Sequence, residues 1–302
     1  MKLVISLATR NRPQQLLQTI NRSMPQWTDP NTILIIQADA DDYATLGMLT
    51  DAKLDPRVKV NIKSREDTIA AKWNRAMAEP GDVYLIAGDD DPVVGKGYDS
   101  MILQAAANFP DGIGMVYGRP SNASFSSIMA CTKKWVDVLG YILPEHFPYW
   151  FCDHWIDDIG HITQRIAYVD VTSDQKKIGA TMEMREPAWW ATWFDAARLI
   201  RRAEAFKMIG ALGEPDWRKN MLASQHIYVE YRSNWINDNV RGQARQLESI
   251  IQSVKDERYQ RVKQTALSML PKMFGGMDPV EARGFHEALV LPTLIPALRR
   301  VG

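Results

Sequence analysis

VYLIAGDDD, residues 83–91, is the stretch on which the fold turns. Val83 to Ala87 is a short apolar run bounded by a turn signal, which reads as a strand buried on both faces. Gly88 ends the run, and Asp89, Asp90 and Asp91 follow without a spacer. Strands buried on both faces belong to parallel sheets, where ligands bind beyond the carboxyl ends of the strands. Three adjacent carboxylates repel one another, and a hard divalent cation, Mg²⁺ or Mn²⁺, relieves that repulsion through oxygen ligands. The plainer alternative is a solvated, Asp-rich turn that ends a strand.

Working outward, the first 120 residues alternate strand and helix. Strands are expected at Leu3–Leu7, Thr32–Ile36, Val58–Ile62, Val83–Ala87 and Ile113–Tyr117. Pro13 opens a helix with Leu16, Leu17 and Ile20 on one face. Arg65–Ala78 is expected to be a helix with Ile69, Trp73, Ala76 and Met77 on its apolar face, stopped by Pro80-Gly81. Tyr98–Asn108 is another. From Ser126 the order becomes mixed: a strand at Ile128–Cys131, a helix at Lys133–Leu139 ended by Gly140, a helix at Cys152–Ile162 and a strand at Arg165–Val171. Beyond Met184 the chain reads as helical and Arg-rich, near Trp189–Ile209, Pro215–Tyr231 and Gly242–Leu270. The expected fold class is α/β, a mostly parallel sheet with helices on both faces plus a helical C-terminal extension. The expected division is 1–184 for the α/β domain and 185–302 for the helical region, serving an acceptor or oligomerisation, with the boundary near Thr181–Glu186.

The composition agrees with a globular protein. Of 302 residues, 46% are hydrophobic and 24% charged, which excludes a disordered, collagenous or disulfide-stapled chain. Formal charge is zero, but from Arg198 onward 17 Lys/Arg face 11 Asp/Glu, leaving the front acidic and the back third basic. An acidic front suits a metal site and a basic back suits a polyanion, although a solvated basic helical surface explains the latter as simply. Cys131 and Cys152 form no framework, so reduced thiols and a cytoplasmic location are expected. The longest uncharged apolar stretch, Ala288–Leu298, is interrupted by Pro292 and Pro296. It is too short to span a bilayer and is expected to be a packed tail.

Two further loops reach the same sheet edge as the Asp triplet. QADADD, residues 37–42, brings Asp39, Asp41 and Asp42, able to accept from a ribose hydroxyl or a base N–H. Helix capping explains Asp41 and Asp42 at least as well. ATRNRP, residues 8–13, brings Thr9, Arg10 and Arg12, whose guanidiniums suit phosphate. The alternative there is capping by Asn11. Neither Gly-x-Gly-x-x-Gly, nor a Walker-type phosphate loop, nor Gly-x-Ser-x-Gly occurs, so dinucleotide, P-loop and nucleophile-elbow readings have no support.

In four pieces the sequence resembles the nucleotide-sugar glycosyltransferases of the GT-A fold, near glycosyltransferase family 2. LVISLATRNRPQQL resembles the opening strand and Thr-x-Asn-Arg loop, and IIQADADD the second strand with its nucleoside-binding Asp. AAKWNRAM resembles the Ala-x-x-Asn helix, and VYLIAGDDD the Asp-x-Asp metal motif. The resemblance covers roughly the first 180 residues. It implies an inverting transfer from a nucleoside-diphosphate sugar, a UDP-sugar, to an acceptor hydroxyl. It implies Mn²⁺ or Mg²⁺ on Asp91, with Asp89 or Asp90 near the donor ribose or sugar and Asp89 also a candidate ligand. Asp39 would contact uridine or its ribose, and Thr9, Arg10, Arg12 and Lys72 would line the nucleotide side. The family's Glu-Asp element corresponds to FCDHW, residues 151–155, where Asp153 takes the base position and Cys152 replaces the usual acid.

His154, Asp157, Asp158 and His161 fall at helical spacing on one face. His154 or His161 could add a metal ligand or orient Asp153, or the face could simply carry Asp–His pairs. Zinc lacks a ligand motif. Tyr149-Trp150-Phe151 and the Trp189–Phe194 run stack on sugars or fill cores, and core packing is the commoner use; Trp150 is the candidate for acceptor contact. Arg201, Arg202, Lys207, Arg218, Lys219, Arg241 and Arg245 have no motif to guide them. The acceptor is open between a glycan and a hydroxymethylated DNA base. The rivals are a sugar-phosphate nucleotidyltransferase, disfavoured by the Gly-free ATRNRP loop, and a non-catalytic nucleotide-binding scaffold.

Overall fold

The computed structural model describes residues 1–118, 128–174, 186–247 and 257–298. In chain order the front elements are β1 (Leu3–Ala8), α1 (Pro13–Ser23), β2 (Ile33–Asp39), α2 (Tyr43–Asp51), β3 (Val58–Lys63), α3 (Ile69–Asn74), β4 (Val83–Gly88), β5 (Val93–Val94), α4 (Tyr98–Ala107), β6 (Met115–Tyr117), β7 (Met129–Thr132) and α5 (Lys133–Leu139). They are followed by α6 (Cys152–Thr163), β8 (Ile166–Tyr168), β9 (Thr172–Ser173), α7 (Pro187–Ala196), α8 (Arg198–Ala211), α9 (Asp216–Ser224), α10 (His226–Leu247), α11 (Glu257–Phe274) and α12 (Pro279–Leu298). Short 3-10 turns extend α1 at Met24–Gln26 and α3 at Arg75–Ala78. No helix among the described residues is long and apolar enough to cross a membrane.

The chain forms two compact units. The first comprises Met1–Leu143, Gln164–Gly179 and Ala211–Pro215; the second comprises Pro144–Thr163, Ala180–Gly210 and Asp216–Gly302. The boundary expected at 184/185 falls within 175–185, outside the described residues.

The first unit is built on a seven-stranded sheet of order β3-β2-β1-β4-β7-β6-β8. β1 to β4 pair in parallel, as their alternation with helices requires. β7 runs antiparallel to both β4 and β6, while β6 and β8 are parallel. β1 and β2 are buried at every position. On one side, Leu3, Ile5 and Leu7 pack with Leu34, Ile36 and Leu85 against Leu16 and Ile20 of α1 and Ile102 of α4. Each such side chain contributes about 1.5–3 kcal/mol relative to exposure. β5 and β9 pair separately as a two-stranded ribbon.

Several elements depart from the sequence expectation: β5 and β9 were not foreseen, and the helices expected at Trp189–Ile209 and Pro215–Tyr231 are each divided, into α7 and α8 and into α9 and α10. α3 starts at Ile69, later than expected, because Thr68 caps it by accepting the Ala71 N–H at 3.0 Å. Its burial follows the expectation only in part: Ala76 is buried and Ile69 and Trp73 are half-buried, but polar residues are buried as well. Met77, placed on the apolar face, is exposed, whereas Lys72, Asn74 and Arg75 are buried. α2 was not foreseen; Asp42 starts it by accepting the Thr45 N–H at 3.2 Å. Lastly, the apolar tail is part of α12, started by Asp278, which accepts the N–H groups of Val280 and Glu281 at 2.9 and 3.3 Å, with Pro279 as the first helical residue.

The second unit is helical. Its interior is aromatic: Phe147 lies 5.1 Å from Trp193, 5.8 Å from Trp155 and 5.9 Å from Trp190, ring centre to ring centre. The indole N–H groups are used as well. Trp189 donates to the Leu289 carbonyl, Trp190 to the Tyr259 hydroxyl and Trp193 to the Ala266 carbonyl, at 3.0–3.1 Å. These rings are core, not an open stacking platform.

Candidate functional site

Register decides what meets at the carboxyl edge of the sheet. Ala8 stands opposite Gln37 on one side and Gly88 on the other. Thr9 and Asp89, one residue further out, and Asp39, two residues beyond Gln37, therefore share one edge, as the sequence reading expected.

Asp39 is 1% exposed. Its Oδ2 takes Arg10 Nη1 at 3.0 Å and Lys72 Nζ at 2.8 Å. Its Oδ1 is buried without a hydrogen-bond donor, and Arg75 Nη2 stands 3.7 Å away. Lys72 also donates to the Thr9 carbonyl at 2.8 Å. Burial pushes the Lys72 ammonium below its usual range, partly offset by Asp39. Arg10 grips Asp41 through both terminal nitrogens, at 2.6 and 2.9 Å. This pairing holds the Asp41 carboxyl down at about 2 and raises the Arg10 guanidinium further. Asp42 has a scaffolding use: besides capping α2 it accepts the N–H of Asn11 at 2.8 Å, which holds that residue in the left-handed region at φ 53°. Asn11 therefore bends the loop; the α1 N-cap position falls to Arg12.

Asp89 is 0% exposed. Thr9 Oγ1 donates to its Oδ2 at 2.7 Å, and Thr19 Oγ1 donates to its carbonyl at 2.6 Å. Arg12 reaches both neighbouring acids. Its Nη2 is 2.6 Å from Asp89 Oδ1, and its Nη1 donates to Asp90 Oδ2 at 3.1 Å. The first contact is one of charge: no donor is aligned on Asp89 Oδ1. Burial pushes the Asp89 carboxyl up to about 6, against the pull of Thr9 and Arg12. Asp91, the next residue, borders a small apolar niche with Thr19, Ile20, Met24, Trp27 and Tyr98. Among the described residues no three His, Cys, Asp or Glu side chains gather as a ready-made metal cage. Asp89 and Asp90 nevertheless converge on a single cation within 3.1 Å, and carboxylate oxygens are the donors a hard divalent ion takes.

The other candidates belong to the second unit. Asp153 is half-buried in the first turn of α6, accepting the His154 N–H at 2.9 Å. The His154 ring lies edge-on to Phe151, 5.3 Å between centres. Asp157 pairs with His161 at 3.4 Å and with Arg232 at 2.9 Å. Asp158 takes Arg201 Nε at 2.7 Å and Ser233 Oγ at 2.6 Å. Of the alternatives for this helix face, an Asp–His pair is present at Asp157 and His161, and both aspartates are buried ion-pair partners. Trp150 is half-buried ahead of α6.

Several of the C-terminal basic residues are likewise spoken for. Arg202 pairs with Glu230 and Arg241 with Asp195 and Asp238, while Lys219 donates to the Gly210 carbonyl. The Arg245 side chain lies outside the described residues.

Sequence reasoning missed Arg75, which joins the Asp39 cluster and donates to Glu66 Oε1 at 2.9 Å and to the Ala38 carbonyl at 3.1 Å. It also missed the Arg10–Asp41 clamp, although alternating opposite charges in ATRNRP and QADADD were a signal for it.

No family model and no curated protein matches this sequence. Solved structures do match. Residues 1–349 of TarS from S. aureus, in complex with UDP-GlcNAc, align over 95% of this chain and 87% of that one, at 13% identity and a TM-score of 0.56. A second structure of TarS 1–349 aligns over the same shares at 12% identity and a TM-score of 0.51. At such identity the likeness establishes the fold: this chain has the α/β fold of the GT-A type, with a helical C-terminal region.

Proposed function

We propose that this protein is a glycosyltransferase that moves a sugar from a nucleoside-diphosphate sugar, a UDP-sugar, to an acceptor hydroxyl with inversion and with help from a divalent cation. The observation that carries the reading is the convergence of Asp89 and Asp90 on one cationic centre at the carboxyl edge of a GT-A sheet. The TarS fragment that shares the fold was captured with UDP-GlcNAc, which supports a donor of the same class.

The roles follow from the donor sets. Asp39 Oδ1, buried and lacking a donor, suits the N–H of a uracil or a ribose hydroxyl. Arg10 and Lys72, beside it, carry the positive charge that a diphosphate requires. Asp89 and Asp90 would hold Mn²⁺ or Mg²⁺, with Asp91 adjoining; when bound, that ion offsets the charge growing on the departing nucleoside diphosphate. Thr9 keeps the Asp89 carboxylate oriented. Asp153 is the proposed base for the acceptor hydroxyl. A glycan is the acceptor of choice, since Arg201, Arg202 and Arg241, which a DNA backbone would need free, are neutralised within their own unit. Buried free thiols at Cys131 and Cys152 support a reducing, cytoplasmic compartment.

The test is a thermal-shift panel of nucleoside diphosphates with and without Mn²⁺, followed by product analysis. Stabilisation by UDP with Mn²⁺ and release of UDP from a UDP-sugar are expected. Release of pyrophosphate would indicate nucleotidyl transfer instead. Asp153→Asn should abolish transfer while sparing UDP binding; undiminished transfer would remove Asp153 from the base role.

A further inference from the structure

We propose that Arg12 is a built-in counter-cation: it closes the Asp89–Asp90 carboxylate pair in the free protein and must leave before a divalent ion enters, so that metal capture is coupled to arrival of the donor's diphosphate. The inference rests on the functional reading above and adds an order of events to it.

The geometry is that of a clasp. One guanidinium spans two neighbouring carboxylates, at 2.6 Å from Asp89 and 3.1 Å from Asp90. Asp89 is fully buried and cannot turn its charge to water. Thr9 pins the other oxygen, so Asp89 Oδ1 stays aimed at the position Arg12 fills. That oxygen has a charge beside it but no aligned hydrogen bond. The guanidinium thus meets that oxygen by charge, without the aligned bond that would fix it there.

Arg12 is also free to go. Its side chain is 39% exposed, and it stands at the N-cap of α1 without a capping bond to hold it. The contrast is with Arg201 and Asp158, each 3% exposed, a pair with no route to solvent. A monocation and a dication cannot share the same two carboxylates, because they repel at contact distance. A diphosphate resolves the conflict. It offers the guanidinium a bidentate partner and offers the metal further oxygens. Linkage then requires that diphosphate raise metal affinity and that metal raise diphosphate affinity by the same factor.

The experiment is Mn²⁺ binding to the full chain, read from the electron paramagnetic resonance signal of free Mn²⁺, at about pH 8 so that ordinary carboxylates are ionised, with and without UDP. Wild type should bind Mn²⁺ alone weakly, and UDP should tighten it by about tenfold or more. Arg12→Ala and Arg12→Gln should each bind Mn²⁺ alone about tenfold more tightly than wild type, and the gain from UDP should shrink to match. If both variants are folded by circular dichroism and bind Mn²⁺ alone no more tightly than wild type, while wild type still binds it with UDP, the clasp is wrong and the metal site stands. If wild type and both variants ignore Mn²⁺ even with UDP, the clasp falls together with the metal-assisted reading.

Discussion

Two sets of buried aspartates, one in each unit, differ in how their oxygens are satisfied. In the second unit, Asp158 has Ser233 on one oxygen and Arg201 on the other, and Asp195 has Asn237 and Arg241 in the same way. In the first unit, Asp39 crowds Arg10 and Lys72 onto one oxygen and leaves the other without a donor, and Asp89 has no aligned donor on Oδ1. Burial does not separate the sets, since it pushes Asp89, Asp158 and Asp195 upward alike. Completeness of hydrogen bonding does. A buried carboxylate with both oxygens engaged is a structural brace, and one with an oxygen left over is shaped for something else.

That contrast can be broken most directly at Arg201. Arg201→Met strands Asp158 and should cost about 3–5 kcal/mol, seen as a lower denaturant midpoint; a loss below about 1 kcal/mol would show that Asp158 is no brace. Asp39→Asn should act on binding instead. UDP affinity measured by calorimetry should fall by about 1–3 kcal/mol, roughly five- to 150-fold. Its stability cost should be smaller than that of Arg201→Met, because Lys72, already below its usual range, can shed its proton. Unchanged UDP affinity would take Asp39 out of the nucleotide site.

Carboxyl-carbon NMR should then separate two acids on the same edge, with Asp89 titrating at about 6 and Asp41 at about 2. The signs are opposite. Asp89 holds its proton more tightly folded than unfolded, so its contribution to stability falls as pH rises from about 4 to about 6. Asp41 is the reverse: its contribution is complete above about 4 and is lost as pH falls through about 2. Coincident midpoints near 4 would erase the distinction. The smallest effect is expected at Thr68→Ala, which removes the α3 cap and should cost about 1 kcal/mol in thermal unfolding; no change would mean that α3 is held by its packing alone.

Much of the first unit was legible because its signals are local. An apolar run followed closely by Asp89 or Asp39 announces both a buried strand and the sheet edge where the carboxylates gather. The polarity of α3 was not legible. Counting apolar residues put Met77 inside, but the buried face is set by Asp39, more than thirty positions away, which draws in Lys72 and Arg75. The basic surplus after Arg198 likewise says little about free charge. Charge counting treats each guanidinium as free, whereas Arg201, Arg202 and Arg241 each meet an acid brought by folding. The helical tail was readable from Asp278-Pro279, a start signal that the two later prolines obscured. Asp153 is proposed only through the family's Glu-Asp pattern; its own surroundings, a first-turn carboxylate on α6, carry no distinctive mark.

The fastening of α3 has one more consequence. Ser6 donates to the Trp73 carbonyl at 2.9 Å, Trp73 donates to the Ala87 carbonyl at 2.8 Å, and Asn74 clamps the backbone at Ile142 and Leu143 with three bonds of 2.8–3.0 Å. Lys72 therefore rides on a segment bolted to β1 and β4 before any nucleotide arrives. Its configurational entropy is lost on folding rather than on capture, so an incoming molecule surrenders mainly its own freedom at that wall. Under the proposed function, the α3 side of the site is set at folding, and the exposed Arg12 on the loop after β1 is the group left to move.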